Sequence, residues 1–312
     1  MSVVFLFPGQ GSQQPNMLHT LTNNPSIRET LEEASMVLGR NILSLDTETS
    51  LRSTHSVQLS LLISGVAQAR SLISEGAVPS IVAGHSIGSF AAAVIAGALK
   101  FSDAVTVVDL RGKLMEASYP KGYGMAVIIG LQEKSVLSLI HKVSTKDSPV
   151  FIATLNALDQ ITIAGLEEAI EMVLTLARCV GAQKASFLRV SVPSHCPLLN
   201  SVSEEISSKM DNITFNHTSI PYISNCRARS LRSAEDIKED LSLGVANPVR
   251  WHESTMLAFE LGARLFVEIG PGQVLTNMVQ KAFPVARAVP TSYTDFKSTI
   301  ILIKREIFLG FN

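Results

Sequence analysis

"GHSIG" (84–88) sets a serine between two glycines at two-residue spacing. G-x-S-x-G is the pattern of a nucleophile elbow: the serine rides a sharp strand-to-helix turn, and the glycines remove side chains that would collide there. A plain βα turn is the alternative. The context favours the elbow, since "SIVAG" (80–84) reads as a short apolar strand and "SIGSFAAAVIAGAL" (86–99) as a buried, alanine-rich helix. The N-terminus of that helix favours negative charge developing near Ser86. A nucleophilic serine needs a base within hydrogen-bond reach. His85 adjoins Ser86, but successive side chains on a turn diverge. His195, in "SVPSHCPLL", follows an apolar strand at a proline-bracketed loop, where functional side chains are commonly presented. His217 and His252 are the alternatives, and for any of these a surface or satisfied core role stays open.

A tetrahedral oxyanion needs two backbone N–H donors. One would come from Ile87, directly after the serine. The other would come from Gln10 in the glycine-rich turn "PGQGS" (8–12), which could also be a simple strand end. Arg111 is the most informative charge. In "SDAVTVVDLRGKLMEAS" (102–118), Ala104, Val107, Val108, Leu114 and Met115 form one apolar stripe at helical spacing, and Arg111 falls inside it. An inward guanidinium needs an anionic partner. That partner is either a buried carboxylate of the protein or the carboxylate of a substrate, gripped by two parallel hydrogen bonds.

Strands alternate with helices around these groups. "VVFLF" (3–7), "SIVAG" and "RLFVEIG" (264–270) read as strands, the last followed by "PGQ" and a helix from about Val274, which argues for a parallel α/β sheet. The middle differs. Strand 124–130, helix 131–144, strands 150–156 and 160–165, helix 166–182 and strand 184–192 give β-α-β-β-α-β, the split pattern of a ferredoxin-like unit. This places a small domain at 122–192, inserted into a larger one made of 1–121 and 193–312. The composition of the 312-residue chain, 46% hydrophobic and 17% charged, fits a soluble globular protein, and a net charge of −1 gives no nucleic-acid surface. No apolar run approaches the roughly 18 residues of a membrane span. "MSVVFLFPGQ" lacks the features of a signal peptide. Three scattered cysteines make neither a disulfide framework nor a zinc site, as expected in a reducing cytoplasm.

Taken together, "FPGQGSQ" (7–13), "GHSIG" (84–88), "LRGKLM" (110–115), "VSVPSHC" (190–196), "NPVRW" (247–251) and "EIGPGQVL" (268–275) resemble the malonyl-CoA:acyl-carrier-protein transacylases. The resemblance spans nearly the whole chain. It implies an α/β-hydrolase-like domain with a ferredoxin-like insert and a malonyl-Ser86 intermediate. It casts His195 as base, Arg111 as the holder of the malonyl carboxylate, and Gln10 and Ile87 as oxyanion donors. Gln58, in "HSVQLSLL", matches an active-site glutamine before a helix. The implied partners are malonyl-CoA and an acyl carrier protein, with no metal or redox cofactor. Two departures stand out. Ser89 replaces an acidic residue after the elbow, and Arg250 replaces a glutamine in a stretch expected to orient the histidine through its backbone carbonyl. With "GYGM" (122–125), they look more like the epsilon subunit of bacterial malonate decarboxylase, whose partners would include the other decarboxylase subunits, and they cast Arg250 as a contact for CoA or the carrier. Two rival classes remain. One is a serine hydrolase drawing its acid from Asp103, Asp109, Asp147 or Asp159. The other is a non-catalytic scaffold.

Overall fold

The computed structural model describes residues 2–21, 24–119, 121–190 and 192–309. The chain runs β1 (Ser2–Phe7), α1 (Pro25–Leu38), α2 (Thr54–Ser74), β2 (Ile81–Gly84), α3 (Gly88–Ala96) and α4 (Phe101–Ser118). Then come β3 (Tyr123–Ile129), α5 (Glu133–Val143), β4 (Val150–Ala157), β5 (Gln160–Leu166), α6 (Glu167–Cys179) and β6 (Lys184–Phe187). It continues with α7 (Asn200–Met210), β7 (Tyr222–Ile223), β8 (Ser230–Leu231), α8 (Ala234–Leu243) and α9 (Trp251–Glu260). It closes with β9 (Ala263–Glu268), α10 (Val274–Ala282), β10 (Arg287–Pro290) and α11 (Phe296–Leu309).

Two sheets form among the described residues. The larger has the order β10-β9-β1-β2-β7-β8 and is parallel except for β8. β1 is apolar from Val3 to Phe7 because helices cover both faces of a parallel sheet. Val3, Phe5 and Phe7 pack into one core with α2, α3 and α4, while Val4 and Leu6 pack into another with α9 and α10. The smaller sheet, β4-β5-β3-β6, is antiparallel in every pair. Ile152, Leu155, Ile161 and Ile163 on one of its faces bury α5 and α6. The ferredoxin-like pattern read from the sequence thus appears as this sheet with its two helices.

Three differences from the sequence reading bear on the site. The helix expected over 86–99 spans Gly88–Ala96. It cannot include Ser86, which has a left-handed φ of 53°, and it stops at Gly97, whose φ of 84° caps it. The strand expected over 184–192 ends at Phe187, because its partner β3 pairs with it only over Ala126–Ile129; Ser191 lies outside the described residues. Gln58 sits in the opening turns of α2, not ahead of a helix.

The two elbow glycines are fixed by contact. A β-carbon on Gly84 would lie 2.1 Å from the carbonyl of Gly88, and one on Gly88 would lie 2.1 Å from the Phe7 carbonyl oxygen. Gly88→Ala must therefore push α3 off the end of β1. It is expected to lower stability by about 2–3 kcal/mol, as for other overpacked sites, read from urea unfolding; wild-type stability would mean the elbow does not bear on β1.

Candidate active site

The elbow presents Ser86 at the C-terminal end of β2, with its Oγ 2.7 Å from Nε2 of His195. His195 also has a left-handed φ, 64°, and its own N–H donates to Val245. Its Nδ1 lies 2.6 Å from the Gly244 carbonyl oxygen. A carbonyl only accepts, so Nδ1 carries the proton and Nε2 is free to take one from Ser86. Burial, with Arg111 and His85 adding like charge, pulls the His195 pKa down to about 3. The imidazole is thus neutral at physiological pH, the form a general base requires.

The backbone around Ser86 is held by groups distant in sequence. The Ser86 N–H donates to Asn225 Oδ1 at 2.9 Å, and Asn225 Nδ2 donates to the Gly84 carbonyl. Asn225 is held in turn by the buried carboxylate of Asp240, which accepts from the N–H groups of Asn225 and Cys226, the Tyr222 hydroxyl and the Ser224 hydroxyl. With the Ser86 amide occupied, the next amide, Ile87, points its N–H to no other protein group among the described residues; nor does Gln10. Both residues line the cavity over Ser86. The turn carrying Gln10 packs against the elbow so closely that a β-carbon on Gly9 would lie 2.8 Å from the His85 carbonyl oxygen. Two free amides beside a nucleophile are what an oxyanion hole requires. Ser89 donates to the Ser86 carbonyl at 2.6 Å and so ties down the same turn.

Arg111 is 2% exposed, yet no carboxylate of the described residues pairs with it. Its guanidinium donates to Oε1 of the buried Gln58, whose Nε2 contacts Met115 Sδ at 3.3 Å. Burial lowers its pKa only to about 10, so it stays charged. Among the described residues, the buried ion pair considered from the sequence is absent. A cation with a neutral partner faces the same cavity as Ser86.

That cavity holds about 130 Å³, well below the roughly 300–1,000 Å³ of sites for drug-sized ligands. Its walls join Gln10, Gln58, Ser86, Ile87, Arg111 and His195 to Asn156, Thr154 and Thr162 of the small sheet. Sequence reasoning dismissed His85 as a base. It is instead a wall: its Nε2 lies 2.9 Å from Asn156 Oδ1, and its ring stands edge-on to Trp251 at 5.3 Å. A roomier cavity of about 360 Å³ beside α2 is lined by no titratable side chain.

Other residues read from the sequence fall outside the cavity. Arg250 does not line it, and its guanidinium forms a forked pair with Glu253. Its carbonyl accepts from Ser254, so the carbonyl that orients His195 belongs to Gly244, six residues earlier, at the end of α8. None of the four aspartates considered for a hydrolase triad reaches His195; Asp109 pairs with His55 and Lys113, and Asp159 with Lys281. His217 and His252 lie away from the cavity. Asn225, Asp240, Gly244 and Asn156 were missed, and no local motif marks them.

The depressed pKa of His195 has a consequence for pH. Labelling of Ser86 by a fluorophosphonate should proceed at the same rate at pH 6 as at pH 8, because His195 is neutral at both. A limb centred near 6.5, the ordinary histidine value, would show that the ring is solvated. With a folded value below the unfolded one, the contribution of His195 to stability is complete above about pH 6.5 and is lost as pH falls toward 3. Cys196, buried and pushed up to about 12, should not compete for the label.

Comparison with known proteins adds the family. The acyl transferase domain model matches residues 4–301. The malonyl CoA-acyl carrier protein transacylase of Salmonella typhimurium is 35% identical over 283 residues, 89% of this chain and 91% of that protein. The structure of the malonyl CoA-acyl carrier protein transacylase from Coxiella burnetii superposes with a TM-score of 0.92 at 34% identity, covering 98% of each chain. A malonyl-transacylase solved in complex with its type II PKS acyl-carrier protein gives 0.91 at 35% identity, over 98% of this chain and 100% of that one. With the serine, the histidine and two free amides gathered at one elbow, and a family match over nearly its full length, the chain belongs to the acyl transferase domain family.

Proposed function

We propose that the chain moves a malonyl group from coenzyme A to the thiol of an acyl carrier protein through a malonyl-Ser86 intermediate. The observation that carries this is Arg111: a buried guanidinium with no carboxylate of its own, facing the cavity of the nucleophile. A short acyl group ending in a carboxylate supplies the missing anion. The names of the relatives support malonyl as that group and a carrier protein as the acceptor.

Neutral His195 takes the proton of Ser86 as Oγ attacks the thioester carbonyl. The oxyanion sits between the amides of Gln10 and Ile87. As the tetrahedral adduct collapses, His195 returns the proton to the departing CoA sulfur, leaving malonyl as an ester of Ser86 with its carboxylate on Arg111. The carrier thiol then gives its proton to His195 and attacks the ester; collapse returns that proton to Ser86. A base oriented by a peptide carbonyl, without a carboxylate, supports transfer over a hydrolase triad.

We prefer a free-standing transacylase of fatty-acid synthesis to the decarboxylase epsilon subunit. The relatives carry the transacylase name, and two departures that suggested the decarboxylase have local explanations, Arg250 in its pair with Glu253 and Ser89 in its bond to the elbow. No described helix is long and apolar enough to cross a membrane, which is consistent with work on CoA thioesters in the cytoplasm.

Intact-mass spectrometry after mixing with malonyl-CoA should show one malonyl adduct on the wild type and none on Ser86→Ala; an adduct on the variant would falsify the assignment. Arg111→Ala should lose malonyl transfer by about 30-fold to several-thousand-fold, the range for removing one partner of a buried charge-assisted pair, while acetyl transfer holds or rises. Equal loss for both acyl groups would make Arg111 a structural residue.

A further inference from the structure

β4 is irregular where it meets the cavity. Its pairing with β5 steps from Ile152–Ile163 to Thr154–Thr162, then from Leu155–Ile161 to Ala157–Gln160. Ala153 and Asn156 are therefore the extra residues of two β-bulges. Under the two-residue period of a regular strand, Thr154 would share the face of Ile152 and point into the apolar core under α5 and α6. The first bulge turns Thr154 to the opposite face, onto the cavity wall, while Leu155 returns to the core. Bulges that re-aim a side chain are common beside active sites. The strand is also pinned there: Leu155 N–H donates to Val249 and Val249 N–H donates to Ala153, at 2.8 and 2.9 Å.

The re-aimed group is a hydroxyl that is buried and unsatisfied. Thr154 is 4% exposed, and its Oγ1 has no hydrogen-bond partner among the described residues. A buried hydroxyl without a partner is costly, and among the described residues Thr154 alone brings such a group to the wall of this cavity. The chemistry of the cavity identifies the ligand atom. The thioester oxygen is assigned to the amides of Gln10 and Ile87. Gln58 has spent its carbonyl on Arg111 and its amide on Met115. The acceptor left over is the acyl carboxylate, which has about four lone-pair sites, more than a two-pronged grip by Arg111 fills.

We propose that the Thr154 hydroxyl donates a hydrogen bond to the acyl carboxylate from the small-sheet wall of the cavity that Arg111 also lines, and so helps select carboxylated over plain acyl groups. The proposal rests on the malonyl reading and deepens it: the large sheet supplies the charge, and the small sheet supplies a neutral donor.

The test is the rate of Ser86 acylation by malonyl-CoA and by acetyl-CoA, followed by quenched intact-mass spectrometry, with melting temperature alongside. Thr154→Val keeps the shape and removes the hydroxyl. It should acylate with malonyl about tenfold or more slowly, the scale of a hydrogen bond to a charged group, with acetyl unchanged and a melting temperature equal to or above the wild type. Thr154→Ser should retain the malonyl rate. Should Thr154→Val melt early, Thr154→Ala, which cannot crowd the cavity, must show the same selective loss. A wild-type malonyl rate in the hydroxyl-free variants, or equal loss of malonyl and acetyl, overturns the proposal. No malonyl adduct on the wild-type chain would overturn the malonyl reading itself, and this one with it.

Discussion

Gly88 rests against the Phe7 carbonyl with no room for a β-carbon, and the geometry of the site follows from that contact. It docks the start of α3 on the end of β1, while the His85 N–H donates to the same carbonyl at 2.9 Å. With both ends of the turn fixed, Ser86 is held at a left-handed φ of 53°, a conformation costly for a non-glycine residue and kept only where the surroundings over-determine it. Here those surroundings are Asn225, whose Oδ1 accepts from the Ser86 amide, and the Asp240 carboxylate behind it. The reward is position. Oγ stands clear of the backbone toward His195, and the amide that follows is left free for an oxyanion.

The second sheet completes what the first begins. Ser86 and Arg111 come from the elbow after β2 and from α4, beside the larger sheet, and His195 from the loop that leads to α7. Alone they would line an open cleft. The small sheet closes it with Thr154, Asn156 and Thr162, joined to the elbow by the contact between Asn156 and His85 and to the segment before α9 by the bonds of Val249. Enclosure lowers the dielectric, which strengthens the interaction of Arg111 with an anionic acyl group. It also keeps His195 neutral, since burial is the largest cause of its lowered pKa.

The sequence makes part of this legible, for reasons that are physical. G-x-S-x-G and the turn after β1 are readable because their constraints are local: tight turns demand glycine at fixed spacing. Arg111 is readable because a charge inside an apolar helical stripe breaks a periodic pattern. The split β-α-β-β-α-β order is readable because each element carries its own period. Asn225, Asp240 and Gly244 are not, because they act through contacts formed only when β7, α8 and the elbow are brought together, and a backbone carbonyl leaves no side-chain signature at all. That is how Arg250 came to stand in for Gly244: the "NPVRW" stretch is conspicuous and the glycine before it is not. Thr154 was hidden more deeply, since the bulge that re-aims it reverses the alternation on which strand reading depends.

The central claim is that one serine relays an acyl group between two thiols, with each half-reaction complete in itself. The most direct measurement is exchange of isotopically labelled CoA into malonyl-CoA with no carrier protein present. A relay through Ser86 predicts exchange with the carrier protein absent, because CoA can leave and return on the acyl-enzyme alone. Exchange that appears only when carrier protein is added would contradict the account, since it would mean that both thiols must be bound before the acyl group moves.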